Sequence, residues 1–283
     1  MKRACVIGWP VAHSRSPVIH RYWLKLYGID GAYEQEAVRP EEIAHFLCTL
    51  GERGYAGANV TLPHKEAALA AADHADAAAT KIGAANTLWI DAMGLLHATN
   101  TDAFGFMTHL TAEAPDWSKH RRPVMLLGAG GAARAILHGL VDAGASKVLL
   151  ANRTAERAQS LAQGFDAKVS VIRWEDRNAA LAGCGLVVNA TSLGMTGKTP
   201  LDIDLSALPQ DAIVADIVYS PLDTQLLAAA RSRGNRTVDG LGMLLHQAVP
   251  GFESWFGVRP EVTPELRAHV VAHLEASSCW SSA

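Results

Sequence analysis

The segment Gly128-Ala129-Gly130-Gly131-Ala132-Ala133 constrains this chain most, because it follows the apolar run Val124-Met125-Leu126-Leu127 and opens onto a helix-forming stretch. Strand, glycine turn and helix in that order are the dinucleotide-binding fingerprint. Gly128 permits the tight turn, Gly130 lets backbone approach a pyrophosphate, and Ala133 keeps helix and strand close. A helix start in this place offers free N–H groups and a positive dipole end to phosphate. Lys147 to Ala151, Val187 to Asn189 and Ile213 to Val218 supply further strands. Residues 103–239 therefore read as a Rossmann-like, doubly wound nucleotide-binding domain.

The strand after the glycine turn selects the nucleotide. NAD-binding chains place Asp or Glu about 20 residues beyond the turn, where it bonds the ribose hydroxyls. Here Asn152-Arg153-Thr154 occupies the strand end and Arg157 follows one turn later. Two guanidinium groups and a hydroxyl suit a 2′-phosphate, which arginine can grip in bidentate fashion. NADP is the expected cofactor. The competing reading makes Arg153 and Arg157 part of a solvated helix face.

Residues 1–102 form a second α/β domain by the same reading. Ala4 to Gly8, Ala32 to Val38 and Gly57 to Leu62 are expected strands, and the alternation with helices favours a parallel sheet. Ser16 is expected as N-cap of a helix with Pro17 at its first position. Asn86 to Ala98, with Met93-Gly94, reads as a hairpin. The alanine-rich stretch Ala67 to Thr80 is a good helix former. Gly240 to Trp255 and Thr263 to Ala276 are expected helices that join this first domain, ahead of a disordered tail from Ser277.

Composition excludes several classes. The net charge is -3 and no Lys/Arg run exists, so no basic field invites nucleic acid. The four cysteines form no CxxC pair and match neither a zinc site nor a disulfide framework. No metal is expected. No window approaches membrane-spanning length and the amino terminus is not a signal peptide, so the cytoplasm is the expected location. A monomer and a homodimer are equally open.

Polar side chains cluster where strands of the first domain end. Ser14 and Ser16 follow the first strand. Asn59 and Thr61 lie two apart and share a strand face. Asn86 and Thr87 begin the hairpin, and Thr101 and Asp102 precede a helix. Ser16 and Asp102 could serve only as helix caps, and Asn86 could be a turn residue. Lys65 is the exception to local rules, because a cation in the first helical turn opposes the macrodipole.

Taken together, Gly8-Trp-Pro-Val-Ala-His-Ser-Arg-Ser-Pro17, Asn59-Val-Thr-Leu-Pro-His-Lys65, Ile82-Gly-Ala-Ala-Asn-Thr87 and Asn100-Thr-Asp102 resemble shikimate dehydrogenase. So do Gly128-Ala-Gly-Gly-Ala132, Asn152-Arg-Thr154, Asn189-Ala-Thr-Ser-Leu-Gly-Met195, Asp216-Ile-Val-Tyr-Ser-Pro221 and Met243-Leu-Leu-His-Gln247. The matches run in order from about residue 5 to 260. The resemblance implies NADPH-linked reduction of 3-dehydroshikimate to shikimate. It implies Lys65 and Asp102 as the catalytic pair, and Ser14, Ser16, Asn59, Thr61, Asn86, Tyr219 and Gln247 as substrate ligands. It implies a cofactor cradle of Gly128, Ala129, Gly130, Gly131, Ala132, Asn152, Arg153, Thr154 and Arg157, with Thr191, Val218, Gly240 and Met243 at the nicotinamide end. His13 and His64 flank the site as supporting residues. Arg21 and Phe256 depart from the family pattern, which commonly has Asn and Thr there. Two rivals remain: a quinate or mixed quinate/shikimate dehydrogenase using NAD, and an NADP-sensing protein without turnover.

Overall fold

Alternating apolar runs and polar helix starts fold the chain into two units, Met1–Thr101 with Leu245–Ala283, and Asp102–Leu244. The computed structural model describes residues 1–119 and 121–280. The sequence-expected boundaries at 102 and 240 fall one residue late and five residues early.

The first unit contains β1 (Lys2–Gly8), α1 (Ser16–Leu26), β2 (Gly31–Ala37), α2 (Ile43–Cys48), β3 (Tyr55–Val60), α3 (Lys65–Ala71), β4 (His74–Ala75), α4 (Ala77–Ile82), β5 (Thr87–Ile90) and β6 (Leu96–Thr99). Its sheet has the order β2-β1-β3-β5-β6-β4. The expected parallel pairing holds for β2, β1 and β3, and β4 also runs parallel to β6, while the expected hairpin supplies the antiparallel strands. β5 runs antiparallel to both β3 and β6. The hairpin sets that direction. Asp91 Oδ1 accepts from the Met93 and Leu95 amides at 2.8 and 3.0 Å, and Gly94 takes the φ of +84° that closes the turn.

The alanine-rich stretch is two helices rather than one. Asp73 takes the Leu96 amide at 2.7 Å and so draws His74–Ala75 onto the sheet edge beside β6. Asp76 then accepts from the Ala79 amide at 2.8 Å and caps α4. Side-chain capping overrides helix propensity here. One face of the sheet buries Cys5, Ile7, Ala58, Val60 and Leu88 against Ile43, Phe46, Leu47 and Ala68. An aromatic cluster of Trp23, Tyr33, Phe252 and Trp255 also belongs to this unit, and all four are fully buried. Each such side chain contributes about 1.5–3 kcal/mol of burial free energy.

The second unit contains α5 (Asp102–Glu113), β7 (Val124–Leu127), α6 (Gly131–Asp142), β8 (Val148–Ala151), α7 (Ala155–Ala162), β9 (Val169–Ile172), α8 (Arg177–Ala180), β10 (Leu186–Asn189), β11 (Ile213–Asp216), α9 (Gln225–Ser232) and β12 (Arg236–Val238). The order β12-β11-β10-β7-β8-β9 is parallel throughout, the doubly wound arrangement with its switch point between β7 and β10. Successive residues of β7 and β10 serve opposite layers. Leu126 and Val188 pack with Leu110, Ile136 and Leu140, whereas Met125, Leu127 and Val187 pack with Leu181, Leu226 and Leu227.

α10 (Gly240–Phe256) begins in the second unit and continues in the first, followed by α11 (Pro264–Trp280). The expected loose tail from Ser277 is helical through Trp280, and residues 281–283 lie outside the described residues. No helix among the described residues is long and apolar enough to cross a membrane.

Candidate active site

In the first unit, the loop after β1 carries Ser14 and Ser16. Ser16 opens α1 as its first helical residue, with Arg15 at the N-cap and no side-chain cap bond. The expected capping role of Ser16 is therefore incorrect. Ser14 Oγ accepts from the Ser16 amide at 3.3 Å. Gln35 Nε2 donates to the Val11 carbonyl at 3.2 Å and braces this loop.

Asn59 lies near the end of β3 and is 5% exposed. Its Oδ1 accepts from Tyr33 Oη at 2.6 Å and faces His20 Nε2 at 3.2 Å. Its Nδ2 donates to Thr87 Oγ1 at 3.2 Å. Burial pushes His20 down to about 3, so the imidazole is neutral and its Nε2–H is the donor to Asn59. Burial likewise raises the Tyr33 phenol well above its usual range, which keeps its proton available.

Thr61 follows β3, and its hydroxyl has no partner among the described residues. A Cβ on Gly8 would stand 2.5 Å from Thr61 Cγ2, so only glycine lets the β1 and β3 ends approach this closely. Lys65 is the first residue of α3, within the first turn where the sequence places it. His64 just before it donates from Nε2 to the Val38 carbonyl at 2.7 Å and anchors that helix start, a supporting role. His13 is exposed.

Asn86, Thr101 and Gln247 form one buried cluster. Asn86 Oδ1 accepts from the Thr101 amide at 2.8 Å and from Thr87 Oγ1 at 3.0 Å. Asn86 Nδ2 reaches Thr101 Oγ1 at 3.0 Å and Gln247 Oε1 at 3.4 Å. Thr101 Oγ1 also donates to the Gln247 carbonyl at 2.8 Å. These bonds tie α10 to the ends of β5 and β6. Asp102, 7% exposed, opens α5 in the second unit.

In the second unit, Gly128 leaves β7 at φ +109°, and a Cβ there would lie 2.9 Å from the Ala190 carbonyl oxygen. Both conformation and space demand glycine. A Cβ on Gly130 or Gly131 would meet nothing within 4 Å, so the start of α6 presents bare backbone. Ala133 is fully buried, as the fingerprint's third position requires. Asn152 Nδ2 donates to the Thr154 carbonyl at 2.8 Å and shapes the turn after β8. Arg153 and Arg157 are exposed, and neither guanidinium has a partner among the described residues. Open backbone at a helix N-terminus with uncommitted cations beside it fits a phosphorylated dinucleotide.

The β10 and β11 ends hold the remaining candidates. Thr191 donates to Asn189 Oδ1 at 2.7 Å, and Asn189 Nδ2 donates to Asp216 Oδ1 at 2.9 Å. Asp216 also takes the Val218 amide at 3.0 Å and Thr224 Oγ1 at 2.7 Å. Burial raises the Asp216 carboxyl, and these three bonds work against that rise. Gly240 is required by packing, since a Cβ would stand 2.2 Å from the Ile217 carbonyl oxygen. Tyr219 is half-buried and Met243 packs on the core.

Sequence reading missed His20, Tyr33, Asn189 and Asp216 as parts of these networks. All but His20 and Tyr33 lie inside quoted motifs. Of the two departures, Arg21 Nε donates to the Tyr33 carbonyl at 3.0 Å, and Phe256 fills the space beside Gly31. Among the described residues no cluster of His, Cys, Asp and Glu could hold a metal ion.

Residues 6–88 match the shikimate dehydrogenase substrate-binding domain, residues 111–197 the shikimate/quinate 5-dehydrogenase family, and residues 240–264 the shikimate 5′-dehydrogenase C-terminal domain. A shikimate dehydrogenase (NADP(+)) of Rhodopseudomonas palustris is 58% identical over 273 residues, covering 96% of this chain and 97% of its own. The chain belongs to the shikimate dehydrogenase family. A shikimate dehydrogenase (NADP(+)) of Azorhizobium caulinodans is 54% identical, with 98% of each chain covered. Among solved structures, shikimate 5-dehydrogenase from Thermus thermophilus in complex with NADP(H) and shikimate is 35% identical, with a TM-score of 0.85 over 97% of this chain and 100% of its own. Quinate dehydrogenase from Corynebacterium glutamicum in complex with NAD is 31% identical, with a TM-score of 0.89 over 96% of this chain and 99% of its own. The shared fold hosts both specificities, so the choice between them rests on side chains.

Proposed function

We propose that this shikimate dehydrogenase family member catalyses the reversible NADPH-linked reduction of 3-dehydroshikimate to shikimate. Unit Met1–Thr101 with Leu245–Ala283 binds the substrate, and unit Asp102–Leu244 binds the cofactor. The observation that carries this reading is the set of hydroxyl and amide groups at the strand ends of the first unit. Ser14, Ser16, Asn59, Thr61, Asn86 and Gln247 are neutral hydrogen-bonding groups, which suits a ring bearing several hydroxyls. Ser14 and Ser16, joined by the Ser16 amide on Ser14 Oγ, receive the carboxylate end. Asn86 and Gln247, joined through Thr101, receive ring hydroxyls, and Tyr219 adds a further contact.

Gly128 to Ala132 and the α6 start cradle the pyrophosphate, while Asn152, Arg153, Thr154 and Arg157 take the 2′-phosphate. Thr191, Val218, Gly240 and Met243 border the nicotinamide. When bound, NADPH supplies the hydride. Lys65 donates the proton that the new alkoxide oxygen requires, and takes it back in the reverse direction. Asp102, the second member of the catalytic pair, accepts a hydrogen bond from a substrate hydroxyl. The thiols of Cys5, Cys48 and Cys184 are free, which agrees with a reducing cytoplasm.

Initial rates with shikimate and quinate, each against NADP+ and NAD+, test the reading. Shikimate with NADP+ is expected to give the highest kcat/KM. A preference for quinate and NAD+ would replace it with the specificity of the Corynebacterium glutamicum protein, and absence of any turnover would reduce the chain to a binding protein.

A further inference from the structure

A buried carboxylate usually faces a cation, but Asp216 faces three neutral donors. It ends β11 and is 1% exposed. Its Oδ1 accepts from Asn189 Nδ2 at 2.9 Å and from the Val218 amide at 3.0 Å, and its Oδ2 accepts from Thr224 Oγ1 at 2.7 Å. No cationic side chain pairs with it among the described residues. Asn189, fully buried at the end of β10, uses all four of its hydrogen-bonding positions. Its Oδ1 takes the Thr191 amide and hydroxyl at 3.1 and 2.7 Å, and its Nδ2 serves the Leu193 carbonyl at 3.1 Å as well as Asp216. The amide therefore has one orientation, with its nitrogen toward the carboxylate. One charged centre thus holds Val218 directly and Thr191 through Asn189.

We infer that Asp216 is a positioning residue for Thr191 and Val218, and that its charge makes the nicotinamide end of the cofactor site favour the oxidised, cationic ring over the reduced, neutral one. The inference rests on the proposed reading of Thr191 and Val218 as neighbours of the nicotinamide. Neutral donors keep the carboxylate ionised without cancelling its charge. Inside a folded domain that charge is screened far less than in water, so it acts across the residues it holds.

Asp216→Asn separates the charge from the bonds. The two donors on Oδ1, an amide N–H and a backbone N–H, cannot turn round, and the remaining carboxamide oxygen can stay with them. The donor on Oδ2 is a hydroxyl, which can turn round and accept from the new amide nitrogen. Dissociation constants are then measured by calorimetry for NADP+, NADPH and 2′-phospho-ADP-ribose, which lacks the nicotinamide. NADP+ should bind Asp216→Asn about tenfold more weakly, with the other two within about twofold of the parent. Thr224→Val keeps the carboxylate but removes a donor, so it should lower the unfolding midpoint and leave the ratio of NADP+ to NADPH affinity unchanged. Equal weakening of NADP+ and NADPH in Asp216→Asn, unaltered NADP+ binding there, or a shifted ratio in Thr224→Val would each overturn the inference while leaving the cofactor assignment standing. A bound nicotinamide whose ring protons show no NMR contact with the Met243 methyl group would remove the reading of this end of the site, and the inference with it.

Discussion

The two units prepare their ligand sites in opposite ways. In the first, Asn59, Asn86 and Gln247 are buried and held by bonds within the unit: Asn59 to Tyr33 and Thr87, and Asn86 to Thr101 and Gln247. In the second, the proposed phosphate groups are bare backbone and exposed, unpartnered arginines. Ligand chemistry accounts for the contrast. A neutral hydroxyl is recognised only by direction, so its partners must be fixed before it arrives. A phosphate is recognised by charge over a wider range of geometries, and flexible cations suffice.

That contrast predicts a graded series of defects. Lys65→Met should lower kcat by about 10²–10⁴-fold, the usual range for a lost proton donor, while NADPH affinity followed by fluorescence stays near normal. Near-normal turnover would remove the proton assignment. Thr101→Val keeps shape but strips the hydroxyl that Asn86 and Gln247 share. Leaving buried partners unsatisfied costs about 1–3 kcal/mol, so both shikimate KM and the unfolding midpoint should suffer together. On the cofactor side, Arg153→Ala and Arg157→Ala should each raise KM for NADP+ by roughly tenfold, with thermal stability unchanged and NAD+ kinetics barely affected. A clear loss of stability in either arginine variant would show that the second site is built like the first.

Much of this architecture was legible in the sequence where one segment carries its own physics. The β7-to-α6 turn needs a left-handed glycine, a bare helix start and a small third residue, and Gly128, Gly130 and Ala133 announce all three. Arg153 and Arg157 were visible as an absent acid. The first unit was harder. Its hairpin was legible at Met93-Gly94, but its edge strand depends on Asp73, which overrides helix propensity. Tyr33 and His20 could not be found because their meaning lies in contacts across 26 and 39 positions of chain, between segments with no distinctive pattern. Asp216 and Asn189 sat inside recognised motifs, yet only the bonds between β10 and β11 show that they hold Thr191 and Val218.

The smallest effect tests how firmly the first unit holds its network, and it is read from pH. In the unfolded chain His20 takes a proton near 6.5, but in the folded protein not until about 3. Below pH 6.5 the unfolded state therefore binds the extra proton, so falling pH pulls the equilibrium toward unfolding. The stability contributed by keeping His20 neutral is complete above that pH and is lost progressively as pH drops toward 3. One proton corresponds to about 1.4 kcal/mol per pH unit. Urea unfolding between pH 6.5 and 4 should show that slope in the parent protein, and His20→Gln should reduce it by close to one proton. Imidazole NMR resonances should report a folded His20 that stays neutral throughout. A His20 that titrates near 6.5 in the folded protein would mean that water reaches the Tyr33–Asn59 bond. The first unit's site would then be as open as the phosphate site of the second.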